Sequence, residues 1–222
     1  MNILQHARLF QGMTEEEIEE IISCMTAKEE RYEKGGFICN VGDIVSDIGI
    51  VLEGSVHIIK SDYWGNQTIM AEIVPGDIFG EAYACGNMPC MVNVMAVKPT
   101  CVLKLNVQRI LKVCPSSCAC HDRIISNLVS VMAQKNLRLT EKIEHMSKRT
   151  IRNKLLSYLS AQSEKCGKSS FAIPFNRQEL ADYLSVDRSA MSSELSKLRE
   201  EGVLDFCKNY FIISKNKGPA ER

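Results

Sequence analysis

Residues 175–211 read FNRQELADYLSVDRSAMSSELSKLREEGVLDFCKNYF, and this stretch decides the fold of the C-terminal part of the chain. A first short helix has one apolar face, formed by Leu180, Ala181 and Leu184. The period breaks at Ser185, and Asp187 is placed to cap a second helix. That second helix ends at Gly202 and has its own apolar stripe, formed by Met191, Leu195 and Leu198. Two helices joined by a tight turn and followed by a short hairpin predict a winged helix-turn-helix.

The outward face of the predicted second helix bears small or cationic side chains. They are Arg188, Ser189, Ser192, Ser193 and Lys197. In a helix-turn-helix this face enters the major groove, where the planar fork of Arg188 matches the O6/N7 edge of guanine. We therefore expect a DNA-binding face, with Ser189 and Ser193 touching neighbouring bases or phosphate. The other interpretation is an ordinary helical hairpin that packs on a core.

Length and composition suit a globular protein of two modest domains. The chain has 222 residues, of which 45% are hydrophobic and 24% are charged. No apolar run approaches the ~20 residues that a membrane span needs. The first ten residues, MNILQHARLF, lack the regions of a secretory signal, so we expect a cytoplasmic protein and no membrane partner.

The formal net charge of zero hides an asymmetry between the two halves. Residues 1–120 hold 9 Lys/Arg against 15 Asp/Glu, and residues 121–222 hold 18 against 12. A basic C-terminal half is typical of a domain that binds a polyanion, although chance segregation of solvated charge would give the same count.

The N-terminal half is rich in short predicted strands that follow an acidic helix at 14–26. Strands are expected within 30–40 and at 48–52, 56–60, 68–74, 92–97 and 101–105. Glycine and proline turns separate them, as at Gly42-Asp43 and Pro75-Gly76-Asp77. Many short strands with such corners predict a β-roll or barrel, so the whole chain is expected to be an α+β protein.

A long helix is predicted between the two halves, at 121–146, and it has a heptad seam. One row of the seam is Ile125, Met132, Leu139 and Met146; the neighbouring row is Val129, Asn136 and Ile143. Such a seam predicts a parallel two-helix interface, in which Asn136 would fix the register or face a ligand. A single amphipathic helix that packs on its own domain is the alternative.

In this order and spacing, several short motifs resemble the Crp/Fnr (cyclic-AMP receptor protein / fumarate-nitrate regulator) family of transcription regulators. They are Lys34-Gly35-Gly36, Gly42-Asp43, Leu52-Glu53-Gly54, residues 75–81 (PGDIFGE), residues 176–179 (NRQE) and Asp187-Arg188-Ser189. Each motif is weak singly, and together they cover nearly the whole chain.

The resemblance implies three parts: a cyclic-nucleotide-binding-type β-roll at 1–120, a dimerisation helix at 121–146 and a winged helix-turn-helix at 147–222. A homodimer would then bind a near-palindromic operator in double-stranded DNA, with half-sites about one helical turn apart. By the same resemblance, Asn176, Arg177 and Gln178 hold the DNA backbone. RNA polymerase and an unidentified small-molecule effector are the further expected partners.

The ligand motif departs from family members that bind cyclic AMP. In those members a Glu holds the ribose hydroxyl and a following Arg-Ser pair holds the cyclic phosphate. Gly80-Glu81 is retained here, but the Arg-Ser pair falls on Met91-Val92, and no Lys or Arg occurs between Lys60 and Lys98. A buried phosphate without a cation costs several kcal/mol, so we expect no tight binding of cyclic AMP.

The remaining pocket is expected to be largely apolar. Its predicted residues are Gly80, Glu81, Ala82, Tyr83, Met91, Val92, Asn136, Leu139 and Thr140. Such walls suit an apolar effector, and they equally suit a filled, inert core.

Ten cysteines include a cluster that begins at Cys114 and reads CPSSCACH. Its candidate ligands for zinc or an iron–sulfur cluster are Cys114, Cys118, Cys120 and His121. A redox or metal-responsive regulator is therefore an alternative, beside reactive thiols and plain structural cysteines.

The sequence does not favour catalysis. None of the four histidines lies in a motif with a nucleophile, and there is no P-loop and no nucleophile elbow. We expect no enzymatic activity. An interaction module that does not bind DNA is the remaining class, and it would leave the basic second helix of the helix-turn-helix unexplained.

Overall fold

The computed structural model describes residues 3–65, 67–111 and 119–214. The chain forms two compact units, residues 1–134 and 135–222. The helices of the first unit are α1 (Ile3–His6), α2 (Glu15–Cys24), α3 (Glu81–Gly86), α4 (Val107–Leu111) and the start of α5 (Ala119–Ser147). Its strands are β1 (Lys28–Tyr32), β2 (Phe37–Cys39), β3 (Asp47–Glu53), β4 (Val56–Ser61), β5 (Gln67–Ile73), β6 (Ile78–Phe79), β7 (Asn93–Ala96) and β8 (Thr100–Asn106).

Two four-stranded antiparallel sheets form the β-roll of the first unit. Their strand orders are β1-β8-β3-β6 and β2-β7-β4-β5. Side chains alternate along β8: Leu103 and Leu105 pack among the helices, whereas Val102 packs in the core between the sheets. The central strands β3 and β8 are thus buried on both faces, which explains their almost continuous apolar sequences.

A close contact at the end of the first sheet positions the start of α3. Phe79 pairs with Gly49 of β3, and a Cβ added at Gly49 would lie 2.6 Å from Cε1 and 2.7 Å from Cε2 of the Phe79 ring. Glycine is therefore required at position 49. The ring fixes β6, and Gly80 follows it with φ of 81°, which turns the chain into α3.

The hairpin between β4 and β5 presents two aromatic side chains to solvent. Tyr63 is 95% exposed and Trp64 is 82% exposed, and their rings meet edge to face at 6.0 Å. Large aromatic side chains are usually buried in a protein core, so the exposure of this pair is unusual.

The first part of α5 belongs to the β-roll unit. Ile124, Leu128 and Val131 are buried among the helices of that unit. Asn127 Nδ2 donates to the carbonyl oxygens of Leu9 (3.0 Å) and Gln11 (2.9 Å). The two compact units therefore divide inside the helix, after residue 134, and the division into three parts at 120 and 146 stays a prediction.

The second unit contains the rest of α5 and all later elements. These are α6 (Ile151–Cys166), β9 (Ser170–Ala172), α7 (Arg177–Leu184), α8 (Arg188–Glu200), β10 (Leu204–Cys207) and β11 (Tyr210–Ile213). The strands form one antiparallel sheet in the order β10-β11-β9. Its core unites apolar residues of α6, α7 and α8 with Phe211 of the sheet. No helix in the described part of the chain combines the length and apolarity that crossing a bilayer requires.

Candidate nucleic-acid interface and effector site

Local hydrogen bonds define where α7 begins. The Asn176 side chain accepts a hydrogen bond from the Glu179 amide at 3.0 Å, and the Glu179 carboxylate accepts one from the Asn176 amide at 2.7 Å. This reciprocal capping box satisfies two amides that a helix start leaves open. Asn176 is therefore a helix cap here, whatever contact it makes with a ligand.

A tight turn separates α7 from α8. Ser185 adopts the left-handed conformation, with φ of 51°, where glycine would be less strained. Lys154 Nζ of α6 donates to the Leu184 carbonyl at 3.1 Å, which satisfies one open acceptor at the end of α7. The Asp187 carboxylate then accepts the Ala190 amide at 2.8 Å and caps α8. That hydrogen bond lowers the pKa of Asp187.

The outward face of α8 is composed as the sequence predicted. Arg188, Ser189, Ser193 and Lys197 are exposed, and Ser192 is half-buried. The Ser189 hydroxyl donates to the Asp187 carboxylate at 2.9 Å, and the Ser192 hydroxyl donates to the Arg188 carbonyl at 2.9 Å. Both hydroxyls thus already have partners within the helix, whereas the Arg188 guanidinium makes no ion pair with any residue that the structure describes.

Arg177 and Gln178 are engaged within the unit. The Arg177 guanidinium lies over the rings of Phe206 (4.6 Å) and Phe211 (5.1 Å), and burial lowers its pKa. Gln178 Nε2 donates to Asp182 at 2.8 Å. The predicted contacts of both residues with the DNA backbone stay predictions. By stacking on these two rings, Arg177 also holds the wing strands β10 and β11 against α7.

An ion-pair cluster, which the sequence did not reveal, fixes α8 on α6. Arg152 of α6 lies 3.4 Å from Glu194 and forms a bidentate pair with Glu201. The cluster orients α8 from the side that faces α6. Only the packing of α6 against α8 brings these distant positions together, so spacing along the chain gives no signal for them.

A second missed group is an aromatic cluster around His145, near the C-terminal end of α5. His145 is buried, and its Nδ1 lies 2.9 Å from Ser157 Oγ. Its ring meets the rings of Tyr158 (5.7 Å) and Tyr183 (6.5 Å). Burial lowers the pKa of His145. Through this cluster the end of α5 packs on α6 and α7 within the second unit.

The predicted effector residues lie in different environments. Glu81 is buried at the start of α3, and Tyr83 and Val92 are half-buried. Ala82 is exposed and Met91 is 61% exposed, so these two side chains are not enclosed by the roll. The remaining three predicted residues belong to the second unit, so the pocket they would complete stays a prediction: Asn136, Leu139 and Thr140.

The cysteine cluster is described only at its C-terminal end, because Cys114 and Cys118 lie outside the described residues. Cys120 is buried in the core of the first unit. His121 is buried too, and its Nε2 lies 3.9 Å from Cys24 Sγ, a neighbour that the sequence did not suggest. Residues 3–65, 67–111 and 119–214 contain no group of three or more His, Cys, Asp or Glu that could hold a metal ion. The zinc or iron–sulfur site stays a prediction.

Two family models match the chain in sequence order. The cyclic nucleotide-binding domain matches residues 29–117, and the Crp-like helix-turn-helix domain matches residues 153–217. The chain belongs to the Crp/Fnr family. It is a Crp-like DNA-binding transcription regulator with an effector-binding domain. This result favours DNA binding over the alternative of an interaction module that does not bind DNA.

Similar proteins of known sequence or structure have the same architecture. The chain is 24% identical over 196 residues to the cyclic AMP receptor protein of Thermus thermophilus, covering 88% of this chain and 87% of that protein. The crystal structure of the Thermus thermophilus catabolite activator protein is 22% identical, covers 94% of each chain and has a TM-score of 0.52. A structure of CprK complexed with OCPA is 14% identical, covers 88% of this chain and 89% of CprK, and has a TM-score of 0.63. At these identities, the solved structures establish the fold alone.

The His145 cluster predicts how the stability of the chain depends on pH. The pKa of His145 is lowered in the folded chain, so protons bind preferentially to the unfolded chain. The stabilisation from neutral His145 is therefore complete above about pH 6.5 and is lost as the pH falls towards the folded-state value. We expect the free energy of unfolding to drop between about pH 7 and pH 5, and to drop less in His145→Gln. Denaturant titrations followed by circular dichroism measure both, and equal slopes for the two proteins would contradict the assignment.

Proposed function

We propose that this regulator works as a homodimer that reads a near-palindromic operator through two α8 helices. Its β-roll responds to an effector other than cyclic AMP and biases the two α5 helices, which set the separation of the α8 pair. The observation that carries the proposal is the exposed cation Arg188 at the first position of α8. The N-terminal residues of a recognition helix are those that contact base edges.

The electrostatics of the second unit support this reading. Arg188 and Lys197 are exposed on the outward face of α8, and the Lys197 ammonium lies 3.7 Å from Glu194, a distance that leaves it free to turn towards a phosphate. The C-terminal half of the chain carries the basic excess. Such a surface attracts DNA of any sequence, and the base contact of Arg188 would add the preference for one sequence.

The exposed apolar row of α5 supports the dimer. Its side chains have exposed fractions of 61%, 37%, 60%, 67% and 36%; they are Val129, Met132, Leu139, Ile143 and Met146. A row of this kind at heptad spacing is costly in water, and a parallel second copy of the helix would bury it. Ile124, Leu128 and Val131 form the buried face of α5 in the first unit, so the exposed row is not needed for packing within the β-roll unit.

The chemistry of the roll supports an effector that is not a cyclic nucleotide. Between Lys60 and Lys98 the chain has no Lys or Arg to neutralise a phosphate. Glu81 at the start of α3 is a buried carboxylate, which would add repulsion to an anionic ligand unless it bound a hydroxyl. The half-buried Tyr83 and Val92 offer apolar contacts instead. We propose an apolar effector, which either has no polar group or has a hydroxyl that donates a hydrogen bond to the Glu81 carboxylate.

Replacement of Arg188 by alanine tests the DNA contact. We expect Arg188→Ala to weaken operator binding by about 1–3 kcal/mol and to relax the preference at one base pair, because the bidentate contact to guanine is lost. Operator selection followed by gel shifts at several salt concentrations measures both effects. Lys28→Ala is the matched control, since it removes one positive charge from the β-roll unit. If Arg188→Ala kept both the operator affinity and the base preference, the proposed contact between Arg188 and guanine would be wrong.

Charge substitution in the exposed row tests the dimer. We expect Ile143→Glu to yield monomers at micromolar concentration and to lose operator affinity, because two buried carboxylates would face each other. Analytical ultracentrifugation measures the mass. Ser130→Glu is the control, because it adds the same charge to an exposed position of α5 outside the row. A monomeric wild-type chain, or a dimeric Ile143→Glu chain, would rule out this interface.

Calorimetry with cyclic AMP tests the departure from the ligand motif. We expect no binding by the wild-type chain at micromolar concentration, because the phosphate would lack a cation. The double substitution Met91→Arg with Val92→Ser restores the cation and a hydroxyl, and we expect it to raise the affinity at least about tenfold. A micromolar dissociation constant for the wild-type chain would show that other groups hold the phosphate.

A further inference from the structure

Two buried thiols are in contact inside the β-roll. Cys39 ends β2 and Cys90 lies in the segment before β7, 51 positions later, and their sulfur atoms are 2.9 Å apart. The two side chains are only 6% and 4% exposed. They pack in the core between the two sheets, beside Val51, Phe79 and Val94.

The backbone around the pair is held on both sides. The Gly42 amide donates to the Cys90 carbonyl at 2.8 Å, and the Cys90 amide donates to the Asp43 carbonyl at 2.8 Å. An isolated bridge joins Ile44 and Pro89 next to these bonds. The two main chains are therefore held together before any bond between the sulfurs exists, so small side-chain rotations suffice to reach the ~2.05 Å of a disulfide.

We propose that Cys39 and Cys90 are an oxidisable pair that closes to a disulfide and fastens the segment between α3 and β7 to the end of β2. Cys90 directly precedes Met91 and Val92, so the bond would immobilise the segment that carries two of the predicted effector residues. The site is independent of the cysteine cluster at 114–121, and it stands whether or not the proposed effector is correct.

A peroxide is the oxidant class that suits a buried pair, because it is small. One thiolate attacks a peroxide oxygen, the O–O bond breaks, and the products are a sulfenic acid and hydroxide. The second thiol then attacks the sulfenic sulfur, and the S–O bond breaks with release of water. In total two thiols and one hydrogen peroxide give one disulfide and two water molecules, so the sulfurs lose two electrons and the peroxide gains them.

Burial sets the rate of this reaction. Burial, together with the neighbouring Cys90 sulfur, raises the pKa of Cys39 to about 12. Since the thiolate is the nucleophile, attack by Cys39 should be slow near neutral pH and roughly tenfold faster for each pH unit gained between about pH 8 and pH 10. Once formed, the disulfide is expected to resist reduction, because burial also excludes attacking thiols.

Peptide mapping of the oxidised full-length chain tests the proposal. The reduced protein is treated with hydrogen peroxide for graded times, quenched with acid, alkylated and digested with trypsin without reduction. Cleavage after lysine yields a peptide 35–60, in which Cys39 is the one cysteine, and a peptide 61–104 that contains Cys85, Cys90 and Cys101. We expect these peptides joined, with loss of two hydrogens, and fragmentation assigning the bond to Cys90.

Matched variants separate the three cysteines of the second peptide. The joined peptides should persist in Cys85→Ser and Cys101→Ser and should vanish in Cys39→Ser and Cys90→Ser. The wild-type fragmentation decides the matter even if a variant fails to fold. The proposal is overturned if the exposed Cys166 and Cys207 are fully oxidised while peptides 35–60 and 61–104 remain separate, or if the bond forms at Cys85 or Cys101.

Discussion

Burial of Ile124, Leu128 and Val131 against the helices of the first unit determines which face of α5 stays exposed. Residues at different angular positions of a helix face different directions, so burial of one row leaves the row at Val129, Met132 and Ile143 exposed. The same helix continues into the second unit, where His145 packs on α6 and α7. The sensor unit and the DNA-binding unit therefore share one continuous element, and its exposed row is the surface on which two copies would meet.

In the second unit, different arginines stabilise the packing and form the exposed surface of α8. Arg152 and the Arg177 stack hold α8 and the wing from the inside, whereas Arg188 at the N-terminal end of α8 is exposed and is the residue proposed to contact DNA. Ser189 and Ser192 beside Arg188 are small, and their hydroxyls bond to the Asp187 carboxylate and to the Arg188 carbonyl, which keeps this end of α8 narrow. The cationic residues of this unit therefore differ in environment: Arg152 and Arg177 make contacts within the unit, and Arg188 is exposed. Net charge alone does not distinguish them.

Local patterns predicted the local features. The helix-turn-helix was foreseen nearly to the residue, because the apolar period and the cap at Asp187 both operate within a few positions. The short strands followed from short runs of residues bounded by glycine and proline turns. The pairing of β1 with β8 did not follow, since it joins Lys28 to Lys104 and depends on how the whole roll closes. The contacts of Arg152, His145 and the Cys39–Cys90 pair were missed for the same reason, because each forms between distant positions.

The exposed hairpin of the first unit also has a spectroscopic consequence. Trp64 is the one tryptophan of the chain, and its indole is largely in contact with water. Light absorbed selectively by indole therefore excites the β-roll unit alone, while the unit that contains α7 and α8 remains optically silent. The molecule carries its own label for the sensor half, at a site outside both cores, where the emission reports the solvation of the β4–β5 hairpin.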